Sequence, residues 1–140
     1  KANVIPSESL ATFDCRLIPG TSKQEFLKEI KSRSGDGVEI NALAESQSVL
    51  PSPLDTDLYK AIQKFATQND PGCAVVPLLL PGATDSRFLR DKGIVAYDFC
   101  PFRLTEKDLL RVHGNNERVA LENLRFGMKM MVEILKEVST

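Results

Sequence analysis

The sequence predicts an α/β protein in two parts: a β–α–β unit, then a longer stretch in which strands and helices alternate. Three observations predict it. Apolar residues alternate with polar ones from Leu10 to Ile18 and again from Val38 to Ala44, the period of a half-buried strand. Short apolar runs, Val75–Leu80 and Ile94–Cys100, are bounded by turn residues. Between and after them, apolar residues recur at helical spacings of three and four. Alternating strand and helix point to a parallel sheet covered on both faces.

The first strand sets Ala11, Phe13, Cys15 and Leu17 on one face and Thr12, Asp14 and Arg16 on the other. Pro19-Gly20 then turns the chain. Thr21 or Ser22 caps a helix, with Glu25 where a capping box places an acid. Phe26, Leu27 and Ile30 mark its apolar face, and Ser34-Gly35-Asp36-Gly37 ends it. Val38, Ile40, Ala42 and Ala44 form the second strand. Ser48–Pro53, with two prolines and two serines, is the boundary between the parts.

In the second part Leu58, Ala61, Ile62 and Phe65 share one helical stripe, which Asn69-Asp70-Pro71-Gly72 stops. Val75–Leu80 is a buried strand in which Pro77 marks an edge or irregular position. Thr84–Asp91 fits a short helix capped by Thr84 or Asp85. Ile94–Cys100 is a further strand. The last helix is marked by Leu121, Leu124, Met128, Met131, Leu135 and Val138, a stripe that is core or interface. Its methionines are packing residues.

Bulk properties exclude several functions. The chain has 140 residues, 42% of them hydrophobic and 26% charged, with a formal net charge of −1. It has no basic stripe for nucleic acid and no apolar run long enough to span a membrane. Its three cysteines are far apart and odd in number, which fits buried free thiols in a reducing, cytoplasmic compartment. The chain opens Lys1-Ala2-Asn3-Val4, without an initiator methionine or a signal-peptide pattern. That opening predicts a piece cut from a longer protein.

Three polar constellations stand out. In Pro81-Gly82-Ala83-Thr84-Asp85-Ser86-Arg87-Phe88-Leu89-Arg90, a loop follows a strand and opens a helix, where α/β sheets build ligand sites. The free N–H groups of that helix start favour an anion, and Arg87 can grip a carboxylate with two parallel hydrogen bonds. Equally, Asp85 can simply pair with Arg87 or Arg90. The single histidine, His113, precedes Gly114-Asn115-Asn116-Glu117. It is either a metal ligand at a loop end or a hydrogen-bonded structural residue. Glu117 either supports it or caps the following helix. In the first part, Asn3 and Arg16 lie on neighbouring segments and can bind a carboxylate or an amide oxygen. Alternatively, Arg16 forms a local pair with Asp14 on a solvated face.

Four strings carry a resemblance. They are Asn3-Val4-Ile5-Pro6 with Phe13-Asp14-Cys15-Arg16, then Gly82-Ala83-Thr84-Asp85-Ser86-Arg87-Phe88, then Ile94-Val95-Ala96-Tyr97-Asp98-Phe99, then His113 to Glu117 leading into the last helix. In order and spacing, over nearly the whole chain, they resemble the zinc exopeptidases of the aminoacylase and carboxypeptidase type. That family includes aminoacylases, desuccinylases, deacetylases and di- and tripeptidases. The resemblance implies that residues 1–48 are the C-terminal part of a lid and dimerisation domain. Residues 49–140 are then the C-terminal α/β part of a catalytic domain.

The same resemblance implies roles. His113 binds one of two zinc ions, Arg87 holds the substrate carboxylate, and Asn3 and Arg16 assist substrate binding from the lid. The intact parent is a homodimer through its lids and takes a peptide or an N-acyl amino acid. The family's His-x-Asp pair, bridging aspartate, Glu-Glu pair and further acidic ligand precede the lid and have no counterpart here. Since a catalytic metal takes three or more protein ligands, the chain by itself is expected to be inactive, with no catalytic residue of its own. Two positions depart from the family pattern: Ala83 replaces a frequent glycine, and Asp98 stands where glycine is common. The rival reading is a non-catalytic dimerisation or peptide-binding module with the same fold.

Overall fold

A computed structural model describes residues 3, 5–44, 48–80 and 82–139. Val4 and Pro81, members of two of the strings above, lie outside the described residues, as does Lys1. The chain divides into two compact units, Lys1–Leu50 and Pro51–Thr140.

The first unit contains α1 (Lys23–Ser34). Its start is a full capping box. The Ser22 hydroxyl oxygen accepts the Glu25 N–H at 3.1 Å, and the Glu25 carboxylate accepts the Ser22 N–H at 3.3 Å. Two of the orphan donors of the first turn are thereby satisfied. Lys31 and Arg33 sit in the last turn, where the helix dipole favours cations. Gly35 ends the helix at φ 77°, a left-handed conformation that glycine adopts without a Cβ clash. Phe26, Leu27 and Ile30 are half-buried, and no described residue of this unit is fully buried.

The second unit is built on α2 (Asp57–Asn69) and α5 (Leu121–Val138), with the short α3 (Ser86–Asp91) and α4 (Glu106–Leu109) between them. Thr56 caps α2 through the Tyr59 N–H at 3.2 Å and also bonds the Tyr97 hydroxyl. α2 packs on α5 through Ala61, Ile62, Met130 and Ile134, ringed by Leu58, Phe65, Val75, Tyr97, Phe99 and Phe126. Across the edge of this contact, Lys64 of α2 pairs with Glu137 of α5 at 2.6 Å. The Tyr59 hydroxyl donates to the Val75 carbonyl at 3.1 Å, and the Tyr59 and Tyr97 rings lie 5.6 Å apart. At the other end, the Asn123 side chain brackets the backbone of Arg103, accepting its N–H at 2.8 Å and donating to its carbonyl at 2.7 Å.

The structure corrects the predicted fold class. Among the described residues there is no strand, so the β–α–β unit and the α/β part are not formed. Alternation records which side chains are apolar, but a strand exists only where a ladder partner meets its backbone groups. In the second part, turns and side chains meet some of these groups instead: the Val75 carbonyl accepts the Tyr59 hydroxyl, Ile94 N–H donates to the Leu89 carbonyl, and Ala96 N–H to the Ser52 hydroxyl. Phe13 and Leu78, expected to be inward, are 79% and 77% exposed.

Two smaller expectations change as well. The face of α5 that packs is Gly127, Met130 and Ile134. The stripe read from sequence faces outward, Leu121 being 71% and Met128 62% exposed. α5 is apolar around most of its girth, so periodicity alone could not choose between its faces. The cysteines are free, but Cys15 and Cys100 are exposed and Cys73 is only half-buried.

Candidate functional site

Arg87 lies on the first turn of α3. Neither Thr84 nor Asp85 caps that helix as expected. Asp85 occupies the capping position without a side-chain bond, and the Thr84 hydroxyl donates to the Asp98 carboxylate instead. The half-buried Arg87 guanidinium stacks on the exposed Phe88 ring, its Cζ 4.6 Å from the ring centroid. Stacking uses the face of the guanidinium and leaves its in-plane N–H groups available. Among the described residues no carboxylate pairs with Arg87. The other arginine of the loop is differently placed. Arg90 Nη1 donates to the Ala96 carbonyl at 3.2 Å and lies 3.4 Å from Asp98 Oδ2. Of the two cations on α3, Arg90 is occupied and Arg87 is open.

Burial works against ionisation of Asp98. Hydrogen bonds from Ser86, Thr84 and Arg90, together with the Arg90 charge, outweigh it and hold the carboxyl below its usual value. The sequence marked Asp98 only as a departure from a pattern, and Arg90 only as a possible neighbour pair. No motif spacing signals that the two meet, because the turn after α3 must fold back to bring them together.

His113 sits in the turn between α4 and the segment before α5, exposed at the surface. It adopts φ 61°, and Asn116 φ 62°, both in the left-handed region. Such a conformation is uncommon outside glycine, and asparagine, aspartate and histidine enter it more readily than other residues. Two bonds hold the turn: Gly114 N–H to the Arg111 carbonyl at 2.8 Å, and His113 N–H to Glu117 Oε2 at 3.1 Å. Glu117 thus anchors the histidine's backbone and does not cap α5, whose N-cap is Ala120. The imidazole itself makes no hydrogen bond among the described residues. It offers a single donor. No three His, Cys, Asp or Glu side chains gather into a metal site among the described residues, so these residues do not by themselves fit a zinc ion.

In the first unit, Asn3 is an exposed turn residue. Arg16 is bound to Asp14, with Nη2 2.6 Å from Oδ2 and Nε 3.0 Å from Oδ1. That hydrogen bond and the facing Arg16 charge lower the Asp14 pKa, while Asp14 raises that of Arg16. The local Asp14–Arg16 pair foreseen as the alternative is therefore present.

Residues 4–137 match the Peptidase family M20/M25/M40. The "Probable carboxypeptidase S-like 2" of Dictyostelium discoideum is 31% identical over 129 residues, covering 89% of this chain and 24% of that protein. The "N-fatty-acyl-amino acid synthase/hydrolase PM20D1" of Xenopus tropicalis is 31% identical over 142 residues, covering 100% of this chain and 28% of that protein. The rat "Aminoacylase-1A" is 31% identical over 121 residues, covering 84% and 29% respectively. The chain thus spans 24% to 29% of the length of these relatives. No solved structure matches it significantly. Among the described residues, no helix is long and apolar enough to cross a membrane.

Proposed function

Because the chain belongs to the Peptidase family M20/M25/M40, and its similar proteins include an N-fatty-acyl-amino acid synthase/hydrolase and an aminoacylase by name, we propose that it forms part of a metallohydrolase that cleaves an amide bond next to a free carboxylate. In this reading residues 49–140 contribute to the catalytic domain and residues 1–48 to a lid through which two copies pair. The observation that carries the proposal is Arg87: a guanidinium stacked on Phe88 and otherwise unpaired among the described residues, on a helix tied down at both ends. A carboxylate meeting its open edge gains two charge-assisted hydrogen bonds, which fix the orientation of the adjacent amide. Asn3 and Arg16 assist from the first unit, Arg16 being pre-oriented by Asp14.

Zinc, in the same reading, is held chiefly by donors outside this chain, and His113 adds one. The metal supplies Lewis acidity and an activated water. Residues 1–140 alone bind substrate groups but do not turn over.

The test compares the complete enzyme with Arg87→Ala on an N-acyl amino acid and on its carboxamide. Arg87→Ala should lower kcat/KM for the carboxylate by about 10- to 100-fold, the worth of hydrogen bonds to a charged group, and leave the carboxamide nearly unchanged. Equal loss on both substrates makes Arg87 structural. A non-catalytic binding module remains the alternative if the complete protein cleaves neither.

A further inference from the structure

α3 has weak means of holding itself. It is six residues long, buries none of them and has no side-chain cap. A helix this short is marginal without outside support. Yet an arginine that is to orient a carboxylate must be held to within a fraction of an ångström. The support comes from Asp98. Its carboxylate takes the Thr84 hydroxyl just before the helix and Arg90 in its last turn, with Ser86 adding a further hydrogen bond. Arg87 lies between these anchor points.

Asp98 is itself fixed. Its neighbour Ala96 is buried, and the Ser52 hydroxyl bonds both its N–H at 3.0 Å and its carbonyl at 3.1 Å. The Tyr97 hydroxyl donates to the Pro53 carbonyl, and its ring packs on Tyr59. The Arg90 side chain is only 19% exposed, and its Nε is buried with no hydrogen-bond partner. Without Asp98 that guanidinium would be a half-buried cation facing only a carbonyl.

We propose that Asp98 is the positioning residue for Arg87: by bonding Thr84 and Arg90 it clamps α3 against the Ala96–Tyr97 segment, and by pairing with Arg90 it leaves Arg87 as the helix's one open guanidinium. This rests on the carboxylate-binding role of Arg87 given above and adds what makes that role selective.

The experiment is a double-mutant cycle in the complete enzyme, using the N-acyl amino acid it cleaves best and the matching carboxamide. The readout is the ratio of their kcat/KM values. Asp98→Ala should raise KM for the carboxylate about tenfold with kcat within about twofold, since the group acts on ground-state and transition-state binding alike. Asp98→Asn keeps an acceptor for Thr84 but loses the charge facing Arg90, and should fall between. Asp98→Glu should restore part of the ratio. In the Arg87→Ala background Asp98→Ala should have no further effect on the ratio, because coupled residues are non-additive. If Asp98→Ala does not fold, Asp98→Asn carries the comparison.

An unchanged ratio in the Asp98 variants, or the same drop with and without Arg87, overturns the positioning role while Arg87 keeps its own. An unchanged ratio in Arg87→Ala alone overturns both.

Discussion

The Glu117 carboxylate accepts the backbone N–H of His113 at 3.1 Å, across a turn in which His113 holds φ 61°. A side chain four residues on therefore sets where the chain's only imidazole emerges, while the ring stays unbonded among the described residues. If that ring is a metal ligand, replacing it must be felt at the metal and not in the fold. His113→Asn is the cleanest change, because asparagine tolerates the left-handed backbone. In the complete enzyme it should lower zinc affinity and turnover by more than the roughly 10- to 100-fold seen when a ligand's supporting group is lost. The unfolding free energy should stay within about 0.5 kcal/mol. Normal zinc content and turnover would remove His113 from the site.

Glu117→Ala should produce a milder version of the same defect. It releases one backbone donor and lets the turn relax toward ordinary φ values. Zinc affinity should drop about tenfold, and Glu117→Gln, which keeps an acceptor oxygen, should recover most of it. Titration of the apo-enzyme with zinc measures both. Equal affinity for all three proteins would limit Glu117 to local turn geometry.

Asp98 predicts an acid-sensitive contribution to stability. Its folded pKa is depressed below the ordinary carboxylate value. The stabilisation is therefore fully present above the unfolded pKa of about 3.9 and is lost as pH falls through the lower folded value. Between about pH 5 and pH 3 the wild type should lose more of its unfolding free energy than Asp98→Asn, and the two curves should run parallel near pH 7. Parallel curves across the whole range would show that the carboxylate's charge adds nothing to the fold.

The choice of face on α5 is testable by a matched pair. Ile134 is 2% exposed and Leu135, its neighbour, 55%. Ile134→Ala should cost about 2–5 kcal/mol through lost burial and a cavity beside Ala61 and Ile62. In the second unit as described, Leu135→Ala should cost no more than about 1 kcal/mol. Urea unfolding of both variants decides it, and a reversed order would put the sequence-read stripe back in the core.

Gly127 should resist alanine despite sitting mid-helix. Helix propensity favours alanine there by about 1 kcal/mol. A Cβ at this position, however, would lie 2.5 Å from Phe102 Cε1 and 3.3 Å from Pro101 Cγ. Overpacking of this kind costs about 1–3 kcal/mol, so Gly127→Ala should lower the unfolding midpoint. Adding Phe102→Leu should bring it back up. A stabilised single variant would mean that the ring swings aside freely.

Local physics was legible in the chain itself. The capping box at Ser22 and Glu25, the stop at Gly35 and the Leu58–Phe65 stripe of α2 depend on residues a few positions apart, and each formed as read. The family itself was also legible, since the resemblance read from the polar strings is followed by a family match over residues 4–137. What sequence could not decide is everything that needs a distant partner. Alternation around Phe13 and Leu78 could not supply ladder partners, so no strand formed among the described residues. The apolar girth of α5 could not name its buried face until Ala61 and Ile62 met Met130 and Ile134. Nor could the loop reveal which of its two arginines is open. That was settled by Asp98, which reaches Arg90 across an intervening turn and leaves Arg87 open, because a carboxylate pairs with the cation that tertiary structure brings beside it.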